Sequence, residues 1–414
     1  MPQAQRPFSQ IVLQMQTDPK VLPANVKGKK IYFESFDPGS SRGQEQSKVM
    51  RGSSRQPTAP LRGNYECAPS ITTELQATDA LLYAGFGSME STMVGGAMAA
   101  DLAVTAGVID PVAQTLTLTK NAHGLVVGDS VEIAALTAPA SLNDKIYPVV
   151  AVPTANTFVV RIAMGTTAVF TKGPGTVKKV TAAGVLTHVL KAGGNLPYYA
   201  LEFGATDINQ YQQELGCKLS TLSFSIGAKG PIALSTKWLG LKELQAVAPF
   251  DAAPLDNGKR SFDNMGIAAA DMKEGGGACA QILSIDNITL DNSVTGDAFV
   301  VGGGGVRSSV NTDVYKITGT VKAIFEDTAL YTKAINSTET ILDFKVKRGN
   351  GDGTDGNETC QCVITEIQYT PKAPTIPASG GIVELPFVGY FDNSADNTAL
   401  KMVIVNSVLP GAMI

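Results

Sequence analysis

Short apolar stretches broken by polar turns recur along this chain, and one of them alternates apolar and polar residues with a period of two. The alternation is strict at residues 114–119 (QTLTLT), and 10–14 (QIVLQ) and 28–36 (GKKIYFESF) also read as short strands. A period of two turns every second side chain to the same face, the pattern of a half-buried strand. Further strands are predicted at 185–190, 198–203, 216–225, 231–238, 279–290, 314–325, 340–347, 358–369, 383–390 and 400–405. The pair 340–347 and 358–369 flanks a glycine-rich turn, 349–357 (GNGDGTDGN), that suits a hairpin. Residues 383–390 and 400–405 read as a closing pair.

Helical spacing occurs in two places. In 70–87 (SITTELQATDALLYAGFG), Thr78 and Asp79 are positioned to cap a short helix carrying Leu81, Leu82 and Tyr83, and Gly85 and Gly87 stop it. In 328–336 (TALYTKAIN), Leu330, Tyr331, Ala334 and Ile335 share a face, with Asp327 or Thr328 as cap.

The texture changes over residues 107–182. Five short strands fall in about 70 residues, which predicts a small β-barrel or sandwich. Insertion into a host succeeds at exposed loop tips. The expected organisation is therefore a discontinuous host, 1–106 with 183–414, interrupted by an inserted domain, 107–182. Two stretches break the strand pattern. Residues 246–277 read as a loop. Residues 37–64 are polar and carry Arg42, Lys48, Arg51, Arg55 and Arg62. A segment so poor in apolar residues does not bury enough surface to order itself, so an arm or long hairpin that orders against a neighbouring subunit is expected.

Composition sharpens this picture. Charged residues are 17% of the chain, below the roughly 25% usual for globular proteins. A weakly charged exterior fits a protein that covers its surface with copies of itself. A net charge of −4 offers no basic field for nucleic acid. The five cysteines, Cys67, Cys217, Cys279, Cys360 and Cys362, are odd in number and mostly far apart, which argues against a disulfide framework. Cys360 and Cys362 would share one strand face, as packing residues do. The first ten residues lack the apolar core of a secretory signal, and no run of about 18 apolar residues predicts a membrane span.

Candidate chemistry is sparse. His123 and His188 lack spaced partners for a metal. The run 302–305 (GGGG) has no following Lys-Ser or Lys-Thr, so it is not a phosphate loop, and a flexible tip is expected. Asp352, Asp355, Asn357 and Glu358 offer oxygens that calcium uses, in an order unlike an EF-hand, so a solvated hairpin is expected. No nucleophile elbow is present. The sequence predicts no enzyme, cofactor or metal.

The order of features resembles the major tail tube proteins of long, flexible-tailed bacteriophages (siphovirus type). The polar arm with Arg51 and Arg55 precedes Ile71-Thr72-Thr73-Glu74-Leu75 and a short leucine-rich helix ending in Gly. Later, Lys316-Ile317-Thr318-Gly319-Thr320-Val321 leads to Phe325-Glu326-Asp327 and a helix near Thr328, and 384–390 with 400–405 resemble the family's closing sheet. The inserted block resembles small β-domains of phage tail proteins through His123, Gly124, Leu125, Gly128 and Asp129.

The resemblance implies a mainly β fold, a sandwich of antiparallel sheets with a flanking helix. It also implies homohexameric rings stacked into a tube through which viral DNA passes without specific binding. Expected partners are the chain itself, the tape measure, the tail terminator and the distal tail protein, with no membrane. The expected setting is the virion tail, with host cytoplasm during assembly. Under this reading Arg42, Lys48, Arg51, Arg55 and Arg62 are inter-ring contacts, and Glu326, Glu366 and Glu384 are lumen candidates. A tail-tip or head–tail completion ring and a carbohydrate-binding adhesin remain as alternatives.

Overall fold

In the computed structural model, residues 5–23, 27–48, 59–78, 80–296, 298–377, 380–392 and 394–414 are described. The chain is mainly β, as its sequence predicts, and the strand pairings between named strands are antiparallel.

The host packs two layers. In one, the strands run in the order Ser35–Asp37, Ser70–Glu74, Ala233–Leu239, Gln210–Ile226, Ile282–Asp291, Lys316–Ile324 and Ile382–Gly389. In the other, the order is Met89–Val94, Val185–Lys191, Leu400–Asn406, Thr359–Tyr369, Thr340–Lys347 and Ile267–Glu274. The far end of Thr359–Tyr369 also pairs with Ile382–Gly389 and joins the layers along one side. Phe224 and Phe344 meet between them edge to face at 6.3 Å.

The helix Ala80–Phe86 is buried at every residue. Its length follows from its end: Gly87 takes φ +71°, and a Cβ there would sit 2.9 Å from the Gly194 carbonyl oxygen. Asp79, expected as a cap, lies outside the described residues. The second helix, Ala329–Ile335, forms where its spacing predicts, and Asp327 Oδ1 accepts the Ala329 N–H at 2.8 Å.

Residues 107–182 build a second, separate hydrophobic core. Leu116, Leu118, Val131, Ile133, Tyr147, Phe158, Val160 and Val177 are buried in it. The expected strands appear, and one more precedes them at Ala106–Asp110. The block is not an isolated bead, however. Its last strand, Thr176–Ala182, pairs with short strands at Ala97–Met98 and Leu102–Ala103, and Ile146 bridges to Ser91 of the host.

Several expectations need correction. Residues 28–36 are not one strand but two, Lys29–Ile31 and Ser35–Asp37, in different sheets. The stretch 246–277 contains a strand, Ile267–Glu274, whose largely uncovered residues show no alternation to read. The strand expected at 216–225 begins earlier, at Gln210, because its polar first half is mostly buried. Ile382–Gly389 and Leu400–Asn406 do not pair with each other; both pair with Thr359–Tyr369.

Candidate assembly surface

The polar segment 37–64 is held at its root. Ser41–Glu45 and Leu61–Glu66 pair as a two-stranded ribbon, with Arg42 opposite Tyr65 and Gln44 opposite Arg62. All five residues of the first strand are exposed. A two-stranded ribbon is marginal in water by itself, so its base needs anchors. Tyr65 donates its N–H to the Gly305 carbonyl at 2.7 Å and its hydroxyl to Glu243 Oε2 at 2.7 Å. Arg42 donates to the Gly63 and Gly304 carbonyls at 3.2 and 3.0 Å. Glu66 pairs with the buried Arg307, whose guanidinium also lies 5.4 Å from the Phe299 ring. Burial, then the Glu243 bond, raises the Tyr65 phenol, keeping it a donor.

The run 302–305 is thus partly a docking platform and not a free tip. Gly305, at φ +78°, comes so near the ribbon that a Cβ would lie 3.2 Å from the Gly63 carbonyl oxygen. No sequence signal pairs segments so far apart. Beside this junction, Leu61, Val300 and Val301 are exposed apolar residues. Apolar side chains uncovered next to a basic ribbon form the kind of patch that a partner covers.

Of the five arm cations, Arg51 and Arg55 lie outside the described residues. Arg42, Lys48 and Arg62 are exposed, and none forms an ion pair among the described residues. Arg42 nevertheless spends its guanidinium on the arm's own root.

The three carboxylates proposed for the lumen separate. Glu384 lies on Ile382–Gly389 opposite Lys322, and pairs with Lys372 at 2.8 Å and Lys322 at 3.4 Å. The Lys372 hydrogen bond, with Lys322 behind it, holds its carboxyl below the usual range. Glu326 is exposed just beyond the neighbouring strand, Lys316–Ile324. Glu366 is different. It is buried and accepts the Asp392 N–H, organising the turn after Ile382–Gly389. A carboxylate enclosed by its own chain faces no channel, so Glu366 drops out of the lumen set.

The remaining motif residues resolve into structural roles. His123 Nδ1 accepts the Leu125 N–H at 3.0 Å and its ring packs on Phe158 at 5.0 Å. Asp129 accepts the Val126 N–H at 2.9 Å and pairs with Lys179, so the His-Gly-Leu…Gly-Asp pattern shapes a turn. His188 is fully buried: Nδ1 accepts from Ser91 at 2.8 Å and Nε2 donates toward Asn406 Oδ1 and the Val408 carbonyl, both at 3.0 Å. The acidic turn is not simply solvated, because Glu358 is buried between Arg260 and Arg348. Cys360 and Cys362 are buried core thiols, as one strand face predicts. Spacing did not reveal one convergence: Cys67, Glu214 and Cys217 bring their ligand atoms within 4.8 Å of one another.

The described surface therefore holds a braced ribbon on a two-layer β host and no assembled catalytic set. Comparison with curated proteins finds no match. Residues 9–389 match the family model described as phage tail tube protein. That match spans nearly the whole chain, and this chain belongs to the phage tail tube protein family.

Proposed function

We propose that this structural tail protein assembles into hexameric rings, and that the rings stack into the tube through which the genome leaves. The observation that supports this most is the arm: a ribbon anchored at its base, exposed at every residue of its first strand, and flanked by exposed Leu61, Val300 and Val301. Strand pairing between subunits would remove exposed edges, and a head-to-tail contact closes into a ring when its rotation allows.

In this reading the arm's cations, Arg42, Lys48, Arg51, Arg55 and Arg62, act between rings. Glu326 and Glu384 belong to a lumen that repels phosphate, since a wall of unpaired Lys and Arg would slow the passing DNA. The tape measure, the tail terminator and the distal tail protein are the proposed partners, with assembly in the host cytoplasm. The block 107–182 is an inserted domain on the outer wall, because an extra domain in the channel would obstruct transit.

Negative-stain electron microscopy of the concentrated chain, with sizing alongside, tests the proposal. Hollow tubes or stacked six-fold rings are expected. A single closed ring that never stacks would replace it with a tail-tip or completion role. Monomers that bind glycans would replace it with adhesion.

A further inference from the structure

Glu214 is a buried carboxylate with nothing to hold it. Its side chain is fully buried, and neither oxygen has a hydrogen-bond partner among the described residues. The other buried orphan carboxylates, Glu202 and Asp207, lack a partner at one oxygen only. Buried charges are ordinarily paired or bound to a metal. Beside Glu214 are two buried thiols, Cys67 and Cys217, all three donor atoms lying within 4.8 Å of one another.

The backbone is shaped to make this cluster. On a regular strand, residues three apart face opposite sides. Glu214 and Cys217 share a side because Gln210–Ile226 bulges between them: Leu201 opposes Glu214, while Tyr199 opposes Cys217. Gly216 carries the bulge at φ +65°, and a Cβ there would meet Leu241 Cγ at 2.6 Å and the Pro19 carbonyl oxygen at 2.8 Å. A second glycine clears the space for sulfur. A Cβ on Gly240 would stand 2.7 Å from Cys67 Sγ and 2.8 Å from Cys217 Sγ. The Gly240 N–H donates to the Cys67 carbonyl at 2.8 Å, fixing the loop that carries this ligand.

We propose that Cys67, Cys217 and Glu214 form a buried binding site for a thiophilic divalent cation of the zinc class. A tetrahedral zinc with Zn–S bonds of about 2.3 Å separates its donors by about 3.8 Å, inside the observed limit. Two thiolates and a carboxylate supply three ligands, and a water completes the fourth position. Binding takes up the dication and releases the two thiol protons and the carboxyl proton. Arg307, the nearby guanidinium, is committed to Glu66 and to the Gly296 and Gly240 carbonyls. Cys67 directly follows Leu61–Glu66, so the metal would fasten the root of the arm to the host sheet. The inference does not depend on ring assembly.

The test is metal content of the full chain purified without chelator, together with its absorption after production in cobalt(II). A single equivalent of zinc and a thiolate-to-cobalt charge-transfer band in the near ultraviolet are expected. Both should vanish in Cys217→Ser and persist in the Cys360→Ser, Cys362→Ser double variant. Should Cys217→Ser fail to fold, the isosteric Glu214→Gln serves instead. Its zinc affinity against a competing chelator should fall by more than the roughly 10–100-fold that losing a second-sphere partner causes. A chain that takes up neither metal, or a Cys67–Cys217 disulfide in the intact mass, overturns the proposal. So does metal retained in full by both ligand variants.

Discussion

The inserted block should come out cleanly, but only at a seam that the strand register identifies. Val94 and Val185 are directly opposite in the antiparallel pair Met89–Val94 and Val185–Lys191. Their Cα atoms are therefore about 5 Å apart, a gap that a two-residue Asn-Gly turn closes. Replacing residues 95–184 with that turn makes an ordinary hairpin. Cutting at 107–182 instead strands Ala97–Met98 and Leu102–Ala103, which lose their partner Thr176–Ala182.

The cost can be estimated from what crosses the seam. Met164 N–H donates to Ser88, Gly411 N–H to Ser130, Asn195 donates to Gln114 and Val112, and Arg161 donates to the Asn195 carbonyl. At about 1 kcal/mol each these five bonds contribute about 5 kcal/mol, and the Ile146–Ser91 bridge with the half-exposed Lys145–Glu90 pair at 2.8 Å adds about 1–2 kcal/mol. Shortening the connection from about ninety residues to two returns about 3 kcal/mol of chain entropy, as (3/2)RT ln 45. The excised host should thus be about 3–4 kcal/mol less stable, still cooperative, and still able to assemble.

Trp238, the chain's single tryptophan, is buried in the host core beside Tyr199 at 5.8 Å, so its emission in a urea titration reports the host alone. Emission already red-shifted in buffer, or a transition without cooperativity, would show that the block is part of the host's core and refute the reasoning.

Other perturbations test separate parts of the structure. Burial lowers the His188 pKa to about 4, against 6.5 for a free imidazole, so the unfolded chain binds a proton that the folded chain refuses. Its contribution is complete above pH 6.5 and is lost as pH falls toward 4, up to about 3 kcal/mol; urea midpoints across that range should fall in the wild type and flatten in His188→Gln. Gly319→Ala would set a Cβ 2.5 Å from Phe387 Cζ in the facing strand, and calorimetry should show a loss of about 1–3 kcal/mol. Reversing the exposed arm charges in Lys48→Glu with Arg62→Glu should leave host unfolding unchanged and shorten tubes by microscopy. Wild-type tubes should shorten likewise near 1 M salt, where the Debye length is about 3 Å, and insensitivity to both would remove the arm from the ring contact.

Local pattern carried much of the secondary structure. Thr115–Thr119 alternates in burial residue by residue, as its sequence does, whereas Val185–Lys191 and Leu400–Asn406 alternate in burial although their apolar residues run together. The signal failed where burial and polarity part company. Gln210–Glu214 is polar in composition and yet mostly covered, while Ile267–Glu274 is a strand with little to cover it. The same limit hid the fate of the carboxylates: Glu366, Glu384 and Glu326 look alike in one dimension, and only packing buries the first and leaves the other two at the surface.

From its sequence alone this chain was legible as mainly β and as a tail tube protein. Those conclusions rest on periodicity, composition and the order of features, which are properties of neighbours along the chain. The seam at Val94 and Val185, the platform at Gly304 and Gly305, and the meeting of Cys67 with Glu214 and Cys217 belong to the tertiary structure. Each joins residues scores of positions apart through strand register, a bulge or the space left by a glycine, and nothing local in the sequence encodes such distances.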